Sequence, residues 1–139
     1  MKLPENVRAM IDAGAGAHLT TLNADGSPQV TVIWVALDGD EIIAGHFNDW
    51  QKLKNVRRDP RVALSFITPE LSEIGMQEYV VLYGEGRVEE GGAPELLNRL
   101  AELYLIPDSG FPPPDMPPGY ILRIDVNRIT GVGGWKDSD

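Results

Sequence analysis

Apolar positions near the start of the chain recur at helical spacing. Val7, Met10 and Ile11 form one stripe, and Pro4 suits a first helical position, so a helix is expected from residue 4 to about 14. Gly14 and Gly16 stop it. The pattern then changes period. "AHLTTLN" is strand-like, and "ADGS" carries an Asp-Gly turn. "PQVTVIWVAL" is rich in β-branched residues and nearly continuous in apolar character, which predicts one strand buried on both faces. "DGD" turns the chain into "EIIAGHF". Three such strands joined by Asp-Gly turns describe an antiparallel meander.

A second helix is expected after Phe47. Asn48 or Asp49 is placed to cap it, Trp50, Leu53 and Val56 form its buried stripe, and Pro60 lies past its end. "RVALSFI" reads as a strand and residues 69–77 as a polar loop. "EYVVLYGEGRVEE" reads as a long strand with a Gly-rich, bulged middle. "APELLNRLAELYL" is an amphipathic helix with Leu96, Leu97, Leu100, Leu103 and Tyr104 on its apolar side. The Pro-rich 107–119 is an extended loop, and "YILRIDVNRITGV" is the last strand. About six strands and three helices without βαβ alternation predict a mainly β fold, a barrel with flanking helices, in a single domain spanning 1–139.

Composition narrows the chemistry. The chain has 139 residues, 42% hydrophobic, enough for a core of its own. It has no cysteine, so it has no disulfide, thiolate metal site or cysteine nucleophile. That composition, with no signal-peptide-like start and no apolar run of membrane length, leads to the expectation of a cytoplasmic protein. The formal net charge is -9, which argues against a general nucleic-acid binder. Yet five of the 12 Lys and Arg residues fall between positions 52 and 61: Lys52, Lys54, Arg57, Arg58 and Arg61. A local basic cluster on an acidic chain points to one small anion or to a solvated helix face.

Few residues carry chemistry of their own. "AGAGAH" at 13–18 follows a helix rather than a strand and lacks a third glycine, so it is a helix stop and not a dinucleotide loop. "GVGGW" at 131–135 begins too near the end of the sequence to open a nucleotide-binding helix. His18 and His46, the only histidines, lie on separate strands without a carboxylate at metal-ligand spacing. The serines lack a nucleophile-elbow context. No acid-base pair stands out, and an enzyme built this way would need a cofactor for its chemistry. The strand-to-helix junction at 46–52 offers an anchor for one. Free first-turn amides beside Lys52 make a phosphate cradle, although Asp49 is placed to fill it with its own carboxylate.

The stretch "DGSPQVTVIWVALDGDEIIAGHFNDWQKLKNVRRDPRVALSF", residues 25–66, resembles the core of the pyridoxamine 5'-phosphate oxidase-like split barrels, with Gly26, Pro28, Lys52, Pro60 and Arg61 at matching positions. "TTLNADGSPQVTVIWV" and "NVRRDPRVALSF" are most similar to the flavin/deazaflavin oxidoreductases that use coenzyme F-420. The resemblance implies a six-stranded split β-barrel that forms a homodimer, with FMN or F-420 in clefts between subunits. It places the strand Gln29–Trp34 along the cofactor ring, with Thr31, Val32 and Ile33 nearest. It sets His46, Phe47 and Asn48 beside the polyol chain, and Gln51 and Lys52 at the phosphate. Trp135 and Lys136 would reach the partner's cleft, and the charge along the helix, with Lys54, Arg57 and Arg58 following Lys52, offers a path for the F-420 tail. The oxidase proper has an Arg-Lys pair where Gln51 and Lys52 stand, and a basic residue at Thr31. Their loss here weakens a terminal-phosphate site and favours F-420 over FMN. The expected activity is an F-420-dependent reductase of conjugated or quinone-like substrates. The alternatives are an FMN-dependent oxidase-like enzyme and a non-catalytic flavin- or heme-binding module. The loops 69–77 and 107–118 are expected to build the cleft over the ring.

Overall fold

The apolar run at 28–37 is not one strand. In the computed structural model, which describes residues 1–135, it bends at Trp34–Val35 into β2 (Pro28–Ile33) and β3 (Ala36–Asp38). The other elements are α1 (Glu5–Asp12), β1 (Ala17–Leu22), β4 (Glu41–His46), α2 (Gln51–Arg58), β5 (Arg61–Leu71), β6 (Gln77–Glu90), α3 (Ala93–Tyr104) and β7 (Tyr120–Val132). The fold is mainly β, and its strands number seven rather than six because of that bend.

The strands form one antiparallel sheet in the order β2-β1-β5-β6-β7-β4-β3. The first and last strands of this order are joined by only two residues, Trp34 and Val35. So short a link cannot span an open seven-stranded sheet, where neighbours lie about 4.8 Å apart. The sheet therefore curls until its edges approach, and the gap between them is the split of the barrel. The expected meander is replaced by two hairpins, β1–β2 and β3–β4, on opposite edges.

Inward positions fill the barrel. Leu19, Ile42, Leu64, Phe66, Leu82, Leu122 and Ile124 are all buried. Helix α1 contributes Val7 and Ile11, and α2 contributes Leu53 and Val56. Truncating the fully buried Leu53 to Ala would cost about 2–5 kcal/mol, because a cavity would open under α2. A smaller cluster lies between α3 and the β3–β4 hairpin, from Leu96, Leu100, Ala36 and Ile43.

Two glycines are fixed by geometry. The register of β6 and β7 shifts between Tyr83 and Gly84, and a Cβ on Gly84 would lie 2.2 Å from the Asp125 carbonyl. Gly119, at φ 61°, opens β7, and a Cβ there would lie 2.3 Å from the carbonyl oxygen of His46. Residues 69–77, expected as a polar loop, instead lengthen β5 and β6 into a hairpin that turns at Ser72–Met76.

Candidate functional site

The Lys52 region is built where β4 ends and α2 begins, across from the β2–β3 bend. Here a cleft of about 340 Å³ is lined by Val32, Ile33, Trp34, His46, Phe47 and Lys52, and also by Gly45, Trp50, Leu97 and Phe111. Trp34 forms one wall of it. Tyr104 of α3 stacks on it at 5.3 Å with the rings 9° from parallel, and the Tyr104 hydroxyl donates to the Ala15 carbonyl at 2.9 Å. Phe111 meets Trp34 edge-on at 5.7 Å and Phe47 at 5.5 Å.

Polar groups in this cleft lack partners. His46 is buried, and its Nε2 has no hydrogen bond among the described residues. Burial, reinforced by the charge of Lys52, pushes the imidazole pKa down to about 4, so the ring is neutral near pH 7. Lys52 is half-buried and makes no ion pair among the described residues, and burial pushes its ammonium below the usual lysine range. On β2 the Thr31 hydroxyl is also buried and unpaired. A buried polar group without a partner is costly, so these groups are candidates for contact with water or a ligand.

The helix start differs from expectation. Trp50 holds the cap position, with no side-chain cap, in place of Asn48 or Asp49. Asp49 does not fill the cradle, because its carboxylate accepts from Arg57 at 2.5 Å. The Gln51 and Lys52 amides therefore remain available at the helix start, whereas the Leu53 amide donates to the Trp50 carbonyl at 2.9 Å.

The three arginines of the cluster are engaged, whereas Lys54 is exposed and makes no ion pair among the described residues. Arg57, paired with Asp49, also lies over the Tyr120 ring at 5.5 Å. Arg58 donates to the Leu22 carbonyl, and Arg61 to Asp59. Gln51 and Gln29 belong to a second polar group centred on Asn55, which is fully buried in α2. The Asn55 amide donates to Thr21 Oγ1 at 3.1 Å, Asn23 Oδ1 at 2.9 Å and Gln29 Oε1 at 3.4 Å, and Gln51 donates to Asn55 Oδ1 at 2.8 Å.

The structure thus brings Val32, Ile33, Trp34, His46, Phe47 and Lys52 together. Thr31 sits beside them on β2, facing the barrel side. Asn48 lines an adjacent cavity of about 390 Å³ with Phe47, Asp49 and Tyr120. Trp135 lies elsewhere: it is buried in its own chain, donates to the Val132 carbonyl at 3.0 Å, and borders a separate groove of about 650 Å³ against α1. Lys136 lies outside the described residues. The loop 107–118 reaches the cleft through Phe111, whereas Pro69 and Glu70 border the groove beside Trp135. Sequence reasoning missed Phe111 and Asn55, and it placed Trp50 in the buried stripe of α2, whereas Trp50 is 47% exposed and lines the cleft. An aromatic residue held among prolines in "GFPPP" was the available signal for Phe111.

The donor set fits a flat ring with an anionic chain. Aromatic and aliphatic walls suit the ring, while Lys52 and the first-turn amides suit one phosphate.

Comparison with known proteins agrees with this architecture. No curated protein matches the sequence. Among solved structures, an F-420 reductase superposes with TM-score 0.75 at 24% identity, covering 92% of this chain and 98% of its own. A conserved hypothetical protein of Mycobacterium tuberculosis gives 0.70 at 24% identity, covering 97% of this chain and 87% of that one. HupZ of Group A Streptococcus gives 0.69 at 17% identity, covering 99% of both. At these identities the likeness is one of fold. The family described as pyridoxamine 5'-phosphate oxidase matches residues 3–133, nearly the whole chain, and the protein is a member of that family of split barrels.

Proposed function

We propose that this chain is a homodimeric, cytoplasmic reductase that uses the deazaflavin coenzyme F-420. The observation that carries the choice of cofactor is the charge at the cleft. Lys52 is the one cation among the described residues that line it, beside a neutral His46, and the unpaired Thr31 hydroxyl lies on the adjoining β2. FMN ends in a phosphate monoester of nearly two negative charges, which calls for several cations. The phosphodiester of F-420 carries one. When bound, reduced F-420 supplies a hydride to an electrophilic conjugated substrate. The chain's own residues do the rest. Val32, Ile33 and Trp34 seat the ring, His46 and Phe47 exclude water along the chain, and Lys52 with the first-turn amides holds the phosphate. Arg57, tied to Asp49, adds only a diffuse attraction at the rim, where Asn48 also lies.

The outer surface supports the dimer. On β2, β1, β5, β6 and β7 the register aligns outward rows such as Val32–His18–Ser65–Val81–Thr130 and Val30–Thr20–Ala63–Tyr83–Arg128. Their only charge is Arg128, laid over the Tyr83 ring at 4.1 Å. Val30 and Val32 are 61% and 66% exposed. The outer face near β3 and β4 is the opposite: Arg87 and Arg123 pair there with Asp38, Glu41 and Glu89. Two adjacent outward rows with a single charge, and with Val30 and Val32 exposed on them, suit contact with a second copy. Val32 belongs to both face and cleft, so the partner would border the cofactor.

Calorimetric titration of F-420 and FMN at low and high salt tests this reading. Tighter binding of F-420 than FMN at both salts, with turnover of a conjugated acceptor, is the expected result. Tighter FMN would transfer the proposal to an FMN-dependent oxidoreductase, the reading that family membership favours. Sedimentation as a monomer at micromolar concentration would remove the shared site.

A further inference from the structure

Two aromatic residues of the cleft are held in different ways. Trp34 is fixed: Tyr104 stacks on it, and the Tyr104 hydroxyl is bonded to Ala15. Phe111 comes from a stretch that forms neither helix nor strand. The backbone hydrogen bonds tying that stretch to the body come at its end, where Pro118 and Gly119 carbonyls accept from Ala93 and Gly91. Nearer Phe111 the bond is local, its N–H donating to Ser109 Oγ at 3.3 Å. The ring is therefore kept in the cleft mainly by its edge-on contacts with Trp34 and Phe47.

We propose that Phe111 determines substrate shape, selecting a flat conjugated ring that takes up edge-on contact with it while Trp34 stays seated for the cofactor. This rests on the reductase reading above. An edge-on aromatic partner favours a flat π face and offers a puckered aliphatic ring nothing comparable. Phe111 is half-buried and its stretch is lightly tied, so the side chain can shift to admit a ring without disturbing the barrel.

The test uses the full chain with reduced F-420 and two acceptors, naphthoquinone as the flat ring and cyclohexenone as the puckered one. In Phe111→Leu the KM for naphthoquinone is expected to rise about tenfold, with kcat within about twofold. The KM for cyclohexenone and the Kd for F-420 should stay as they were. Equal rises for both acceptors, or a weakened F-420 Kd, would overturn the proposal by making Phe111 a general lid or a cofactor contact. If no flavin or deazaflavin supports turnover, the reductase reading has failed. Phe111 is then judged by naphthoquinone quenching of tryptophan fluorescence in the protein alone. Weaker quenching in Phe111→Leu sustains its role, and equal or absent quenching overturns it.

Discussion

Helix α2 has polar groups on two sides, and they are finished differently. On the Asn55 side every group has found another: Gln51, Thr21, Asn23 and Gln29 converge on one buried amide. On the Lys52 side nothing is closed: a half-buried cation, a neutral imidazole and, nearby, a buried hydroxyl have no partners among the described residues. Both sides are polar and both are sheltered, so burial alone does not separate them. What separates them is hydrogen-bond satisfaction. A completed network stabilises the fold, whereas an incomplete one is stable enough to persist and is left open for a ligand.

Removing the centre of the closed side should have the largest effect. Asn55→Leu leaves Thr21 and Gln29 facing an apolar side chain, and unfolding in urea should show a loss of about 4 kcal/mol. A loss below about 1 kcal/mol would mean that water replaces the network, and the contrast would collapse.

Acid should act next, through His46. In the unfolded chain an imidazole gains its proton near pH 6.5, but in the fold His46 does so only near pH 4. Between these values the unfolded state binds the extra proton, so stability falls as pH drops through that window. At about 1.4 kcal/mol per unit the loss approaches about 3 kcal/mol. His46→Gln should remove this component, measured as the difference between the pH profiles of variant and parent. Superimposable profiles would show that the imidazole is not held neutral.

Lys52→Met should sharpen the comparison most clearly. It removes a half-buried cation without an ion pair, so stability should hold or rise slightly. Loss of a charged hydrogen bond, worth roughly 1.5–3 kcal/mol, should weaken F-420 binding about 10- to 100-fold. Lower stability with unchanged binding would reverse the assignment of the two sides. The smallest effect is expected from Arg57→Ala with Arg58→Ala. Both residues are engaged within the chain, so F-420 affinity should fall about threefold or less, and only at low salt. A larger drop would restore a basic path along the helix.

Much of the fold could be read from residue patterns. Val7, Ile11, Leu53 and Val56 are buried as expected, and the two long strands do shift register, but the extra residue, Asn127, falls on β7 and not in the Gly-rich β6 where a bulge was expected. The run at 28–37 misled for a physical reason. Val30 and Val32 are apolar yet exposed in the single chain, and a sequence does not say whether an apolar side chain is covered by its own fold or by another molecule. Asn55 was hidden differently. It stands among charged neighbours in "KLKNVRR", where a buried polar residue looks the same as a solvated one. The site was half legible. Lys52 follows from a strand-to-helix junction, a local signal, whereas His46 and Phe47 entered only through the family resemblance. Phe111 reaches the cleft by long-range folding of a proline-rich loop, which no spacing encodes.

The two-residue joint at Trp34–Val35 gives the barrel a seam. Widening the split strains this joint directly, because the chain there has almost no slack. Trp34 is both half of the joint and a wall of the cleft, so a ring seated against it leans on the β2 and β3 edges together. Occupancy should therefore be felt as slower amide exchange along both margins of the split, including the Ala36–Asp38 strand, which does not line the cleft.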